Sequence, residues 1–460
     1  MNGIGITTYG RNEHYKLFLS QLGKFKLPGE FGIVNWEIKV VAEKGIANAK
    51  NKCLTHLQNC DCIFLFDDDC FPIKEGWAEY FIEESKRTGQ QHFMYLKQTS
   101  MINIIEIKDG IKIYDNCAGC FMFFTKECID KVGGYCKDYD IYGFEHAGYS
   151  DRIHKAGLTP LGAYTCPERT REYIYSLDYD NYLDFGIIHK PSLKTSEIKE
   201  SIQKNNIIYL RERETIYQPL PKTCDMLIKY ATRGRPEKFK AAIKNIQQTI
   251  SAKNYFILVS ADMDDMSMNN DLIKAFIKEQ PNCDVVYGES PNKVHAINRD
   301  MEMVEDWSML INMSDDMTFT VNGWDEKMKE SIKNKWGGST DYFAHFSDGY
   351  VKEKLPTMSI MGYEYYKRFN YIYHRDYASV SCDAEAMYVA QMLDRYHYFP
   401  EIYFLHLHPA NVPTPTDATY MRNNIHDIPD TDIYFKRYKL GFEVKNPVNP
   451  LPILNIPDGY

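Results

Sequence analysis

Two acidic stretches in this chain follow short, largely apolar runs. Asp67-Asp68-Asp69 comes after CIFLF, and Ser314-Asp315-Asp316 comes after MLINM. Each leads to a Gly-Trp pair, with the last Asp eight residues before the Trp in both places (Asp69 and Trp77; Asp316 and Trp324). Apolar runs this short read as buried strands rather than surface helices. Carboxylates at the end of a buried strand are costly unless something neutralises them. In an open α/β sheet, the carboxyl end of a strand is also where ligands bind. A divalent cation held by carboxylate oxygens together with a substrate's phosphates meets both demands. One such turn alone would read equally well as a solvated cap on the next helix.

The flanks match as well as the turns. Thr8 to Lys16 reads TYGRNEHYK and Thr232 to Lys240 reads TRGRPEKFK, each after an apolar strand and before an amphipathic helix. A short helix then carries A-K-N at Ala49 to Asn51 and A-I-N at Ala296 to Asn298. The step from Asn to the acidic turn is 18 residues in both halves, Asn51 to Asp69 and Asn298 to Asp316. This order implies an internal duplication of one α/β domain of ordinary size. The expected organisation is a domain over residues 1–205, a linker over 206–222, a second domain over 223–425, and a proline-rich tail over 426–460. A helical connector through SEIKESIQK fits the seam.

On these residues the chain resembles the large inverting family of glycosyltransferases with the GT-A fold, which use nucleotide-sugar donors. The features that carry the resemblance are the Thr- and Tyr-rich turn before Arg11, the helix motif GIANAKNK (Gly45 to Lys52), and the strand-borne D-x-D of Asp67 to Asp69. The resemblance implies two tandem GT-A domains, each a Rossmann-like mixed sheet flanked by helices. It also implies Mn2+ or Mg2+, one per active domain, with a nucleotide-sugar such as a UDP-sugar as co-substrate. Asp69 and Asp316 would bind the metal. Asp67 and Asp68, and Asp315 in the half where Ser314 replaces the first Asp, would face the donor. Thr8, Arg11 and Asn51, with Thr232, Arg235 and Asn298, would complete the donor sites. Asp262, in FILVSAD, and Glu43, in VVAEK, would meet the nucleotide base.

Transfer with inversion needs a general base for the acceptor hydroxyl. The family places it downstream at the start of a helix. In the first half GFEHAGYSDR offers Glu145, with His146 beside it as the alternative; in the second, SCDAE offers Asp383, with Glu385 close behind. The family often adds a late histidine as a metal ligand. His406 and His408, in FLHLHP, lie at strand spacing, and His189 is the first-half analogue by position. Asp348, in HFSDGY, is a further loop acid.

Bulk properties limit the alternatives. With 460 residues, 44% hydrophobic content and a formal charge of −9, the chain is globular and has no broad electrostatic reason to grip nucleic acid or anionic lipid. No apolar run approaches the ~20 residues of a membrane span. No export signal is evident, and a cytoplasmic enzyme is the expectation. Nine of the twelve cysteines precede residue 170, scattered, and read as free buried thiols. The expected acceptor is a glycan or other hydroxyl, one sugar site per half making the enzyme bifunctional. Transfer to modified bases of viral DNA is the second choice. The rivals are a two-metal phosphoryl- or nucleotidyl-transfer enzyme and a non-catalytic carbohydrate-binding protein.

Overall fold

The run CIFLF forms strand Cys62–Asp67, in which Ile63, Phe64, Leu65 and Phe66 are all fully buried. Burial on both faces is what the centre of a helix-covered sheet imposes. Ile63 and Leu65 pack with Leu54 and Leu57 of helix Ile46–Leu57, while Phe64 and Phe66 pack with Phe18 and Trp77 on the other side. Each such side chain contributes about 1.5–3 kcal/mol. In this computed structural model, residues 1–25, 36–42, 45–187, 194–212, 214–413 and 417–452 are described. The chain divides into two compact units, Met1–Pro221 and Lys222–Tyr460.

In the N-terminal unit the sheet order is Trp36–Ala42, Asn2–Thr8, Cys62–Asp67, Phe121–Thr125, His92–Met94. The first three strands are mutually parallel, and Phe121–Thr125 runs antiparallel to both of its neighbours. Helix Ile46–Leu57 lies so close to the first strand that Gly5 has no room for a side chain: a Cβ there would sit 2.4 Å from Leu65 and 2.8 Å from Cys53.

In the C-terminal unit the sheet has seven strands in the order Cys283–Gly288, Tyr255–Asp262, Met226–Thr232, Met309–Met313, Ile360–Gly362, Phe343–Ser347, Tyr396–Ile402. Five of these repeat the order and direction of the N-terminal sheet, with a further strand at each edge.

The repeated Gly-Trp has one structural cause in both units. Gly76 (φ 75°) and Gly323 (φ 67°) take the left-handed conformation at a helix start. The next residue is thereby driven into the core. Trp77 packs edge-on against Phe64 and Phe66, and Trp324 stacks on Phe319 at 3.6 Å. The acidic turn is anchored from below by a buried indole.

Two segments are more structured than their composition suggested. Helix Thr195–Glu212 runs past residue 205, and its last residue is buried against Arg152 (Nε to Oε1, 2.7 Å) and the Tyr139 hydroxyl. Within 426–460, helix Asp427–Lys439 and the turn after it bury Tyr434 and Phe442 in the second unit's core. All but one of the prolines in this stretch lie at or beyond Pro447, and the exception, Pro429, sits in the first turn of the helix, where it is tolerated. Between them, aromatics at helical spacing supply an apolar face. None of the twelve cysteines is in a disulfide. Among the described residues no helix is long and apolar enough to cross a membrane.

Candidate functional site

Strand register brings the acidic turns beneath the first strand of each unit. Thr7 pairs with Asp67, so Thr8 meets Asp68; Tyr230 pairs with Met313, so Thr232 meets Asp315. After the turn, Cys70–Pro72 forms an antiparallel ladder with Ile174–Ser176, and Met317–Phe319 forms one with Phe404–His406. The Leu177 amide donates to the Asp69 carbonyl at 2.8 Å, and the Leu407 amide donates to the Asp316 carbonyl at 2.7 Å. These equivalences put Asp69 with Asp316, Asp68 with Asp315, and Ser176 with His406.

In the N-terminal unit the three carboxylates are matched by two cations. Thr7 Oγ1 donates to Asp67 at 2.6 Å and Thr8 Oγ1 to Asp68 at 2.5 Å. Arg11 bridges Asp69, at 2.7 Å, and Asp68. Lys50 is fully buried, with Nζ 3.2 Å from Asp67 Oδ1 and also donating to the Gly119 carbonyl. Burial pushes the Asp68 carboxyl up to about 6 against the pull of Arg11, and it raises Asp67 as well.

Lys50 continues into the helix that carries the candidate base. Its ammonium donates to His146 Nε2 at 2.9 Å, and His146 Nδ1 lies 3.1 Å from Glu145 Oε1. Burial and then Lys50 hold the imidazole well below its usual pKa, so it is neutral, with the proton on Nδ1 facing Glu145. The ring fills the space beside Gly119, where a Cβ would stand 2.1 Å away. Glu145 is buried and its carboxyl is raised to about 7 by burial, which Lys50 partly offsets. Glu145 Oε2 has no hydrogen-bond partner among the described residues.

The C-terminal unit solves the same electrostatic problem differently. Asp316 is held by Ser314 Oγ (2.5 Å), Tyr420 Oη (2.6 Å) and His406 Nε2 (3.4 Å). Burial alone would raise its carboxyl; His406, Ser314 and Tyr420 together bring it well below the usual range. His406 Nδ1 faces Asp348 Oδ2 at 3.9 Å. Asp348 is fixed in turn by the amides of Tyr350, Val351 and Lys352. Asp315 accepts from Tyr230 (2.9 Å) and Thr232 (3.1 Å), and burial lifts it to about 7. Arg235 turns away from the acids: it bonds Asp417 at 2.7 Å and lies over the Tyr420 ring at 4.0 Å.

The remaining predicted residues separate into structural and open groups. Asn51 bonds both backbone groups of Tyr135 (2.9 and 2.7 Å), and Asn298 bonds the amides of Ile372 and Tyr373 and the Tyr373 carbonyl. Both asparagines thus clamp the loop that leads to the acid-bearing helix. Glu385 is enclosed by Arg437 (2.8 and 2.9 Å) and the Tyr377 hydroxyl (2.7 Å). Asp383 opens its helix, with its carboxyl raised by burial while Lys293 and His406 pull it down. Asp262 ends its strand 2.8 Å from Arg233. His408 lies beyond the His406 strand and packs edge-on against Tyr420. Glu43 and His189 lie outside the described residues.

Thr7, Lys50, Tyr230 and Tyr420 are site residues that sequence reasoning passed over. Lys50 carried a signal, as the cation next to the clamp asparagine. Tyr420 carried none, being about a hundred residues from the acid it binds.

A metal ion fits the two units unequally. Among the described residues no group of three His, Cys, Asp or Glu side chains is arranged to hold one. A cation bound mainly through substrate phosphates needs only one or two protein ligands. Asp316 and His406 provide an oxygen and a nitrogen, with Asp348 behind the imidazole as an orienting carboxylate. In the N-terminal unit Ser176 stands where His406 does, and Arg11 is seated on Asp69. That donor set does not suit a metal without displacing Arg11.

No family model matches the chain. Over 184 residues the chain is 32% identical to an uncharacterized glycosyltransferase, R363, of Acanthamoeba polyphaga mimivirus; the match covers 37% of this chain and 62% of that relative. Among solved structures, mannosyltransferase PcManGT from Pyrobaculum calidifontis, in complex with GDP-Man and Mn2+, is similar over 49% of this chain and 66% of its own, at 10% identity and a TM-score of 0.38. TarS 1–349 of S. aureus, in complex with UDP-GlcNAc, matches 49% of this chain and 68% of its own, at 11% identity and a TM-score of 0.35.

Proposed function

We propose that this chain is a glycosyltransferase that moves a hexosyl or pentosyl group from a nucleoside-diphosphate sugar to an acceptor hydroxyl. The observation that carries the reading is the constellation found in each unit. An acid turn at the end of the central strand lies against the threonine that ends the first strand, and an acid-bearing helix start is clamped by an asparagine. The likeness to a relative named as a glycosyltransferase supports it. The repeated strand order supports descent from one duplicated domain of the GT-A type.

The C-terminal unit is the better-formed donor site. Asp316 and His406 would hold Mn2+ or Mg2+, which when bound stabilises the charge of the departing diphosphate. Asp262, at the end of the strand beside Thr232, would meet the nucleoside, with Thr232 and Asp315 beside it. Asp383, at a helix start, takes the proton of the acceptor hydroxyl as its oxygen attacks the anomeric carbon. A single displacement inverts that carbon. Asn298 holds the loop in front of this helix, and Glu385 holds the helix to the core.

In the N-terminal unit Glu145 is the matching base, with His146 orienting it, and Thr8, Asp67 and Asp68 face the donor. Two such sites in one chain suit two successive transfers. The acceptor is a glycan or another hydroxyl compound.

Donor turnover across a panel of nucleotide sugars with Mn2+, in wild type beside Asp69→Ala and Asp316→Ala, tests the reading. Loss of one donor's turnover in Asp316→Ala alone assigns it to the C-terminal unit. Two donors lost in different variants establish two activities. Failure of every donor to bind removes the glycosyltransferase reading.

A further inference from the structure

The N-terminal unit holds a cavity of about 250 Å3 to which Lys97, Lys112 and Arg171 all contribute. Its walls are the segment that follows strand His92–Met94, strand Ile111–Tyr114, and the stretch around strand Thr165–Pro167. The first of these leaves the sheet at the same end as Asp67, because His92–Met94 and Cys62–Asp67 both run antiparallel to Phe121–Thr125.

The charges in this cavity are not balanced by the fold. Arg171 is committed to Asp180, at 2.6 and 3.0 Å. Lys97 donates to the Tyr179 carbonyl, a neutral acceptor that leaves its charge uncompensated. Lys112 is half-buried between the buried Ile111 and Ile113, and it makes no ion pair or hydrogen bond through Nζ with any described residue. Glu168 is the opposing acid, on the exposed rim. Two ammonium groups face one cavity whose opposing acid stands on the exposed rim, which makes the cavity a setting for an anionic ligand group.

The cavity is also tied to the acidic turn. Asp180, which holds Arg171, accepts from the Ser176 amide; Ser176 pairs with Cys70, and the neighbouring Leu177 bonds Asp69. At about 250 Å3 it is below the ~300 Å3 at which pockets for larger ligands begin, which suits a single sugar ring. The apolar wall of Leu96, Ile104, Tyr114 and Pro167 suits the face of such a ring.

We propose that this cavity is an acceptor subsite for a phosphorylated monosaccharide, with its phosphate against Lys97 and Lys112. The proposal rests on the glycosyltransferase reading for the word acceptor, though not for the binding itself.

Calorimetric titration of the full chain with a hexose 6-phosphate, with the parent hexose, and with inorganic phosphate tests it. Binding of the hexose phosphate is expected to be about tenfold or more tighter than that of the hexose, to weaken about tenfold in Lys112→Met, and to return in Lys112→Arg. Equal binding by wild type and Lys112→Met, with unchanged melting temperatures, would overturn the assignment, as would binding of inorganic phosphate as tight as that of the sugar phosphate. Displacement by a short single-stranded DNA with a steep salt dependence would overturn it in favour of a nucleic-acid backbone. Nucleotide-sugar binding measured on the same samples separates the two claims. If the hexose phosphate binds and no donor does, the subsite stands and the transferase reading falls.

Discussion

His406 presents Nε2 to Asp316 Oδ1 at 3.4 Å while its Nδ1 faces Asp348 Oδ2 at 3.9 Å. The arrangement follows from ladder register: His406 pairs with Met317, the residue after Asp316. A carboxylate behind an imidazole fixes the tautomer that leaves the front nitrogen free for a metal, and losing such a partner typically costs about 10–100-fold in affinity. Mn2+ binding followed by electron paramagnetic resonance in the presence of a nucleoside diphosphate is therefore expected to be lost in His406→Ala and to weaken by about that factor in Asp348→Asn. Asp69→Ala, in the unit where Ser176 replaces the histidine, is expected to leave this binding unchanged. Equal losses in all three variants would contradict the assignment.

Asp315 yields a prediction about stability and pH. Burial raises its carboxyl from 3.8 to about 7, against the hydrogen bond from Tyr230. A carboxyl with a raised folded-state pKa holds its proton more tightly when folded, so ionisation destabilises the fold. The cost is absent below about pH 4, grows between pH 4 and 7, and is complete above 7. Asp315→Asn should then raise stability by on the order of 1–3 kcal/mol at pH 8 and leave it nearly unchanged at pH 4, in urea denaturation at both values. A gain that does not depend on pH would contradict the burial argument.

Lys50 partly offsets the burial that raises the candidate base of the N-terminal unit. It counters the burial that lifts the Glu145 carboxyl to about 7, and it sits 2.9 Å from His146, the neighbour of that carboxyl. Replacing it with the uncharged Met removes that counterweight. A carboxyl-observed NMR titration should find Glu145 shifted upward in Lys50→Met, by up to about one unit. Of the two carboxyl resonances that titrate near 7, only the one that moves in Lys50→Met should disappear in Glu145→Gln, that of Asp315 remaining, whereas in His146→Gln both should remain.

Much of this was legible in the sequence, and the rest has identifiable reasons for being hidden. The acidic turns could be found because burial demands unbroken apolar runs and the left-handed glycine before each tryptophan is hard to replace. Asn51 and Asn298 were conspicuous by spacing, but their roles as loop clamps depend on contacts some 75 to 84 residues away. Arg11 and Arg235 occupy matching places in sequence yet bind different acids, because Asp417 and Tyr420 arrive from a helix with no counterpart among the described residues of the first unit. Glu385 looked like a catalytic spare because it stands two residues from Asp383. Its real partner, Arg437, comes from a helix that composition had assigned to a tail.

That last pair supports a prediction that separates structure from catalysis. Arg437 meets both oxygens of Glu385 at 2.8 and 2.9 Å, and both residues are almost completely buried. Removing one member strands the other charge out of water, which typically costs about 3–5 kcal/mol. Arg437→Met and Glu385→Gln should each destabilise the C-terminal unit on that scale. The double variant should cost clearly less than the sum, since no unpaired charge is left. Chain ended after residue 425 should lose the cooperative unfolding transition of this unit altogether, because Tyr434 and Phe442 leave the core with the helix. If Glu385 served as the base instead, Glu385→Gln would abolish turnover well below its melting temperature while Arg437→Met would not. With the charge pair acting as a brace for the helix that presents Asp383, the two single variants should retain turnover in proportion to their folded fraction, and Asp383→Asn alone should remove it from a fully folded protein.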